Sequence, residues 1–156
     1  MYNTDILCKA RRLDNGEWVT GYYVHLVSGS AETSRIYTSL SEIDTAVYEW
    51  YPKFYEVNPK TVCQFTRMKD SKGNLIFEND IIKFEIHKKG FWVESKVVYN
   101  HHLGEFRCVS FTADYSDGDI SLYRAVECCP WNSTEVIGNH YDDDYSIDTT
   151  KHKEYK

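Results

Sequence analysis

Apolar and polar residues alternate along most of this chain in short runs separated by turn-forming residues, a pattern that predicts strands rather than helices. Residues 5–14 read as a first strand. Asp14-Asn15-Gly16 follows as a hairpin turn, because Asn and Gly tolerate positive φ, and 17–26 is the return strand with Trp18, Gly21, Tyr22 and Tyr23. Ser28-Gly29-Ser30 opens a polar loop. Further on, 61–69 reads as a strand, and Asp70-Ser71-Lys72-Gly73-Asn74 as a tight turn in which Gly73 supplies the unusual backbone angle. Leu75-Ile76-Phe77 is a short strand and Glu78-Asn79-Asp80 another turn. Two long strands, 81–87 and 92–99, flank Lys88-Lys89-Gly90. A turn near His102-Leu103-Gly104 leads to a strand over 105–112, Asp117-Gly118-Asp119 turns the chain again, 120–128 forms a strand, and 135–138 is the last.

One segment carries a conflict. Ser39 and Glu42 fit a capping box, Leu40, Ile43, Val47 and Trp50 recur at helical spacing, and Pro52 would end such a helix. Thr45, Val47, Tyr48, Trp50 and Tyr51 are strand formers. The spacing predicts one short helix near 40–51. The tail from Ser146 to Lys156 alternates in charge, has little apolar content, and is predicted to be disordered. The fold class expected is therefore mainly β, with antiparallel strands forming a small SH3-like barrel (about 76–128) plus an N-terminal β extension. The domain is expected over 1–145 and the tail over 146–156.

Composition sharpens this. At 156 residues one domain with a real core is affordable. Aromatics make up 15% of the chain, with 13 Tyr, 7 Phe and 4 Trp, while alanine is scarce, which argues against a helical bundle. The net charge of −6 is the wrong sign for a general nucleic-acid binder. No apolar run approaches the roughly 18 residues that span a bilayer. Met1-Tyr2-Asn3-Thr4-Asp5 lacks the basic and apolar regions of a secretory signal, so an intracellular location is expected and Asn132-Ser133-Thr134 is read as an accidental glycosylation pattern.

Chemistry is hard to find. The five cysteines Cys8, Cys63, Cys108, Cys128 and Cys129 are odd in number and include no C-x-x-C pair, so reduced thiols are expected. His25, His87, His101, His102, His140 and His152 are scattered. His101-His102 beside a turn is better read as solvated than as a metal pair. No nucleophile elbow or phosphate loop occurs. Asp114 to Asp119 resembles a calcium loop but has Arg124-Ala125 where the closing glutamate should stand. Asp142-Asp143-Asp144 reads as a solvated acidic cluster. The aromatic surplus, Trp18, Tyr22, Tyr23, Trp50, Tyr51, Phe54 and Tyr55, fits either a core or an interface with a partner.

Three segments in order resemble the YopX family of small phage and prophage proteins. They are Lys9-Ala10-Arg11 with Gly16-Glu17-Trp18-Val19-Thr20-Gly21-Tyr22-Tyr23; Tyr55 through Thr66, continuing with Lys69-Asp70, Lys72-Gly73, Ile76-Phe77-Glu78 and Asp80-Ile81-Ile82-Lys83-Phe84; and Glu135-Val136-Ile137-Gly138-Asn139-His140-Tyr141. Together they span about residues 6–142. The family pattern usually has Gly where Arg67 and Asn79 stand. Asn79 can keep a left-handed turn, but Arg67 cannot do so cheaply. Either position 67 needs no positive φ, or its hairpin differs.

The resemblance implies an all-β, oligomer-forming protein of mobile genetic elements, working in the cytoplasm of a bacterial host. It implies no activity, and no catalytic residue, cofactor or metal ligand is assigned. Gln64, Phe65, Thr66, Asp70, Gly73, Glu78, Asp80, Gly138 and Asn139 carry the signature and are expected to be turn and hairpin fixtures. The leading expectation is a non-enzymatic homo-oligomeric binding or scaffolding protein, whose partners are other copies of itself and an unidentified host or phage protein, with no membrane. The alternatives are a nucleic-acid-associated module on an SH3-like barrel and, less favoured, a metal- or thiol-dependent hydrolase using His101, His102 or Cys128-Cys129.

Overall fold

The computed structural model describes residues 6–39, 43–44, 49–50, 53–85, 90–111, 119–128 and 133–142. The chain divides into two compact units, Met1–Arg67 and Met68–Lys156.

In the first unit, β1 (Cys8–Arg11) alternates buried and half-buried residues, as one-sided packing requires. It pairs antiparallel with the start of β2 (Trp18–Ser28), from Cys8 opposite Gly21 to Arg11 opposite Trp18. The Asp14-Asn15-Gly16 turn is present between them. Beyond Gly21, β2 takes a new partner on its other edge. Tyr22 through Ser28 pair with β3 (Ala31–Ser39). Gly21 sits at this changeover, and a Cβ there would lie 2.3 Å from the Tyr37 carbonyl oxygen. Only glycine lets the backbones approach so closely.

The return strand β3 was not foreseen. Gly29-Ser30 is a two-residue hairpin turn rather than the opening of a loop. The strand hid because its residues at the ribbon's tip are solvated on both faces and leave no alternating signal.

Residues near 40–51 correct another expectation. Where they are described, they are β4 (Ile43–Asp44) and β5 (Glu49–Trp50), an antiparallel pair, not a helix. The β-branched and aromatic residues of that stretch outweigh its helical spacing. Next, β6 (Lys53–Glu56) pairs with β3. An Arg12–Val57 bridge, with Leu13 N–H donating to Glu56 O and Asn58 N–H to Arg11 O, brings the end of β6 back to β1. A one-turn 3-10 helix, Pro59–Thr61, follows, its Asn58 side chain accepting from the Lys60 N–H. Ala10, Ile36 and Val57 form the small core of this unit, with Val19, Tyr23 and Val62 against them.

Strand β7 (Cys63–Lys69) carries the chain into the second unit. Its buried positions Cys63 and Thr66 are three apart, not the even spacing a regular pleat gives, and Arg67 follows at φ 66. Position 67 thus keeps the left-handed backbone for which the family uses glycine. The expectation that arginine there signals an ordinary φ or a changed hairpin is half corrected: the unusual φ is retained. Asn79 is left-handed as well, at φ 64, as its side chain permits.

In the second unit, β8 (Leu75–Phe77) and β9 (Asp80–Glu85) lead into β10 (Trp92–Asn100) and β11 (Glu105–Ser110). The Asn100 side chain accepts from the N–H groups of His102 and Leu103, which fixes the β10–β11 turn. Then come β12 (Asp119–Ser121), helix α1 (Leu122–Glu127) and β13 (Glu135–Asn139). The sheet order is β12-β11-β10-β9-β13, antiparallel throughout.

The strand expected over 120–128 is therefore mostly helix. Leu122, Ala125 and Val126 lie at i, i+3 and i+4, and all three are buried in the core with Ile76, Ile82, Phe84, Val93, Val97 and Cys108. The mainly β class expected from sequence holds, with two antiparallel sheets and a short helix. The barrel does not: no closed barrel forms among the described residues, because β12 stops after three residues and the chain turns into α1 instead of extending the sheet. The ends of the strands expected over 81–87 and 105–112, the Asp117-Gly118-Asp119 turn and the tail lie wholly or partly outside the described residues.

Candidate functional site

The signature residues gather at two polar nodes of the second unit and along β7. Gln64 is exposed on β7, Phe65 is half-buried with its N–H donating to Leu7 O at 2.8 Å, and Thr66 is buried.

The first node is the turn after β7. One oxygen of the Asp70 carboxylate accepts from the N–H of Lys72 (2.9 Å) and of Asn74 (2.8 Å). The other accepts from the Asn74 side-chain amide (2.9 Å) and from the Val136 N–H (3.0 Å), 66 positions along the chain. Gly73, at φ 88, donates its N–H to Asp70 O, and Ser71 N–H donates to Thr134 O. Burial works to raise the Asp70 pKa, but the hydrogen bonds from Asn74, Val136 and Lys72 together hold it below the usual aspartate value. Asp70 therefore stitches its own turn to β13.

The second node lies where β9 meets β13. Asp80, fully buried, accepts from the Phe77 N–H at 2.8 Å and from the Asn139 amide at 2.9 Å. Asn139 accepts from the Tyr141 N–H, and its own N–H donates to Asp142. His140 N–H donates to Asn79 O, and Asn79 N–H to Val97 O. The register of β13 shifts between Val136 and Gly138, so Gly138 stands at the irregularity opposite Ile81. Glu78 sits half-buried in the β8–β9 turn. The His140 ring nitrogen Nδ1 is buried without a hydrogen-bond partner. Burial first, and the Lys96 charge second, lower the His140 pKa.

Sequence reasoning missed the links between these nodes. Glu135 accepts from Lys72 (3.3 Å) and Lys83 (3.1 Å), and the Lys83 ammonium also lies over the Trp92 ring, 5.1 Å from its centroid. Those two lysines hold the Glu135 carboxyl below its usual range. Thr134, fully buried, donates to Ala125 O, and the Ser133 hydroxyl accepts from the Glu85 N–H. Both hydroxyls of the apparent glycosylation pattern are thus engaged in packing.

In the first unit, cations lie on aromatic rings. Lys9 and Arg11 both lie within about 5 Å of the Trp18 ring centroid, Arg12 and Lys53 lie at 4.0 and 5.8 Å from that of Tyr55, and Arg35 lies over Phe54 while reaching Glu56 at 3.6 Å. Arg12 is also paired with Asp14.

The residues considered for catalysis do not converge. His101 and His102 are exposed in the β10–β11 turn, and Cys128 is exposed just after α1. Cys129, Asp143 and Asp144 lie outside the described residues, as does the Asp114–Gly118 part of the supposed calcium loop. Among the described residues, no group of three or more His, Cys, Asp or Glu is placed to hold a metal, and no helix is long and apolar enough to cross a membrane.

The fold and these nodes define a class: an antiparallel β protein whose polar signature residues lock its own hairpins. A family model described as YopX protein matches residues 14–146, and the chain belongs to the YopX family. No curated protein matches it.

Proposed function

We propose that this protein works without catalysis, as a homo-oligomeric binding or scaffolding protein. The observation that carries the proposal is the ribbon formed by the ends of β2 and β3. His25, Leu26, Val27 and Ser28, with Ala31 and Glu32 opposite, are exposed on both faces, although Leu26 and Val27 are apolar and point to opposite sides. A two-stranded ribbon is marginal in water unless something packs on it. The signature carboxylates add support, because Asp70 and Asp80 spend their oxygens on backbone and amide donors of the fold. As the family resemblance implies, the proposal places the protein in a bacterial host, as a product of a phage or other mobile element, with other copies and an unidentified host or phage protein as partners.

The nucleic-acid reading gains the cations of the first unit. Trp18, Tyr55 and Phe54 each already hold a cation of their own unit over the ring, which leaves less ring face for base stacking.

Light scattering on a sizing column, with the absorbance ratio followed across the peak, tests the proposal. A defined multimer free of nucleic acid is expected. A monodisperse monomer at micromolar concentration overturns it. A peak carrying nucleic acid that salt removes favours the alternative.

A further inference from the structure

We infer that the outer edge of β2 over residues 23–28 is a strand-addition surface for a second copy of this chain. The inference rests on the homo-oligomer reading and specifies its interface.

The edge is open by construction. β1 covers β2 only from Trp18 to Gly21, while β3 covers the opposite edge from Tyr22 to Ser28. Over 23–28, among the described residues, no backbone hydrogen bond reaches the edge that faces away from β3. Alternate N–H and C=O groups of an antiparallel strand point to each edge, so this edge presents donors and acceptors ready for another strand.

The edge also lacks the usual protection. Natural edge strands block pairing with charge, proline, bulges or brevity. The segment Tyr22-Tyr23-Val24-His25-Leu26-Val27-Ser28 contains no Lys, Arg, Asp, Glu, Pro or Gly, and most of it is β-branched or aromatic. The other edges show the protection that is missing here. β6 has four residues and carries Lys53 and Glu56, β12 has three residues, and β13 is bulged.

The same neutrality selects the occupant. Antiparallel pairing of identical strands about a two-fold axis sets each residue opposite one equally far from the axis on the other copy, so a charge at the axis meets itself and like charges placed symmetrically about it face each other. An uncharged strand escapes that repulsion. It offers nothing, by contrast, to a partner strand recognised through opposite charge. The ribbon is also held in shape before pairing. The Ser34 hydroxyl lies 3.0 Å from the Tyr23 hydroxyl and 3.3 Å from His25 Nδ1, cross-bracing β2 to β3, and a preformed edge loses less entropy on association. Pairing two such edges would join the ribbons of two copies into a four-stranded sheet and give Leu26 and Val27 neighbours from the second copy.

The test uses the full chain and the variants Leu26→Lys and Val27→Lys. Both positions are exposed, at 36% and 63%, so a lysine there has room and the fold is kept, as the far-ultraviolet spectrum and melting curve check. Leu103→Lys, exposed in the β10–β11 turn of the second unit, is the control. The expected result is a multimer whose mass falls about twofold or more in the two β2 variants and not in the control. Amide exchange at 23–28 is expected to slow as protein concentration rises. A monomeric wild type overturns the homo-oligomer reading and this edge with it. A wild-type multimer whose mass is unchanged in both variants, with fast exchange at 23–28, overturns the edge alone and leaves the oligomer in place.

Discussion

The Asn139 amide donates to the Asp80 carboxylate at 2.9 Å, between two side chains that water does not reach and that stand 59 positions apart in the chain. The second Asp80 oxygen accepts from the Phe77 N–H, so one carboxylate closes the β8–β9 turn and anchors β13. Removing either partner strands a buried polar group. Asp80→Ala is expected to cost about 3 kcal/mol and Asn139→Ala about 2 kcal/mol. The double variant should be less damaging than the sum, with a coupling of about 1 kcal/mol or more. Urea melts of the four proteins check this, and strict additivity would show that the pair is not a unit.

Arg67 occupies a left-handed backbone position on an exposed part of β7. An L-residue with a Cβ is strained there by roughly 1–2 kcal/mol, while glycine is not. Glycine gives part of that back through the greater freedom of the unfolded chain. Arg67→Gly is therefore expected to stabilise the protein by about 0.5–1 kcal/mol. Arg67→Ala, which keeps the Cβ, should gain nothing. A thermal melt separates the two, and a lower midpoint for Arg67→Gly would mean that the arginine side chain stabilises more than its backbone costs.

What the sequence revealed and what it hid divide along distance in the chain. The Asp14-Asn15-Gly16 and Asp70-to-Gly73 turns were legible because their chemistry is local: an Asx side chain bonds amides two to four residues on, and a glycine follows. The bonds that Asp70 accepts from the Lys72 and Asn74 N–H groups are local in the same way, but its bond to Val136 is not. Likewise nothing local marks Asn139 as the partner of Asp80, or Glu135 as the partner of two lysines. Within the strand expected over 120–128, the helix Leu122–Glu127 had a visible signal, the i, i+3, i+4 spacing of Leu122, Ala125 and Val126, which the neighbouring Tyr123 and Cys128 masked. Strand β3 had only Gly29-Ser30 to announce it. The tip of the β2–β3 ribbon is exposed on both faces, so its residues have no reason to alternate.

Gly21 tests the changeover in β2. A Cβ there would lie 2.3 Å from the Tyr37 carbonyl oxygen and 2.9 Å from an Ile36 methyl carbon. The first is backbone and cannot swing aside, and Ile36 belongs to the small core of the first unit. Gly21→Ala is expected to destabilise by about 3 kcal/mol or more, well above what an alanine costs in an open strand. Gly16→Ala makes the comparison, since its Cβ would meet nothing within 4 Å and only the positive φ opposes it. Denaturant midpoints should rank wild type above Gly16→Ala and that above Gly21→Ala. The reverse order would mean that the backbones at Gly21 can separate freely.

His140 sets a pH dependence of defined sign. Its ring is partly buried, Nδ1 has no partner, and burial followed by the Lys96 charge lowers its pKa below the ordinary value of 6.5. The unfolded chain therefore binds a proton in a range where the folded chain does not. Stability from the neutral ring is fully present above the unfolded pKa, declines as pH falls below about 6.5, and levels off once pH passes the folded pKa. Asp70 has a depressed carboxyl pKa, so its loss comes lower, beginning near 4 as pH falls through the carboxylate range. The two steps are separable. His140→Phe is expected to flatten the stability profile between pH 7 and about 5 while leaving the lower descent in place. Melting temperatures across that range read the difference directly. A His140→Phe profile parallel to the wild type would show that His140 takes up its proton equally in both states, and the buried, partnerless nitrogen would then need another explanation.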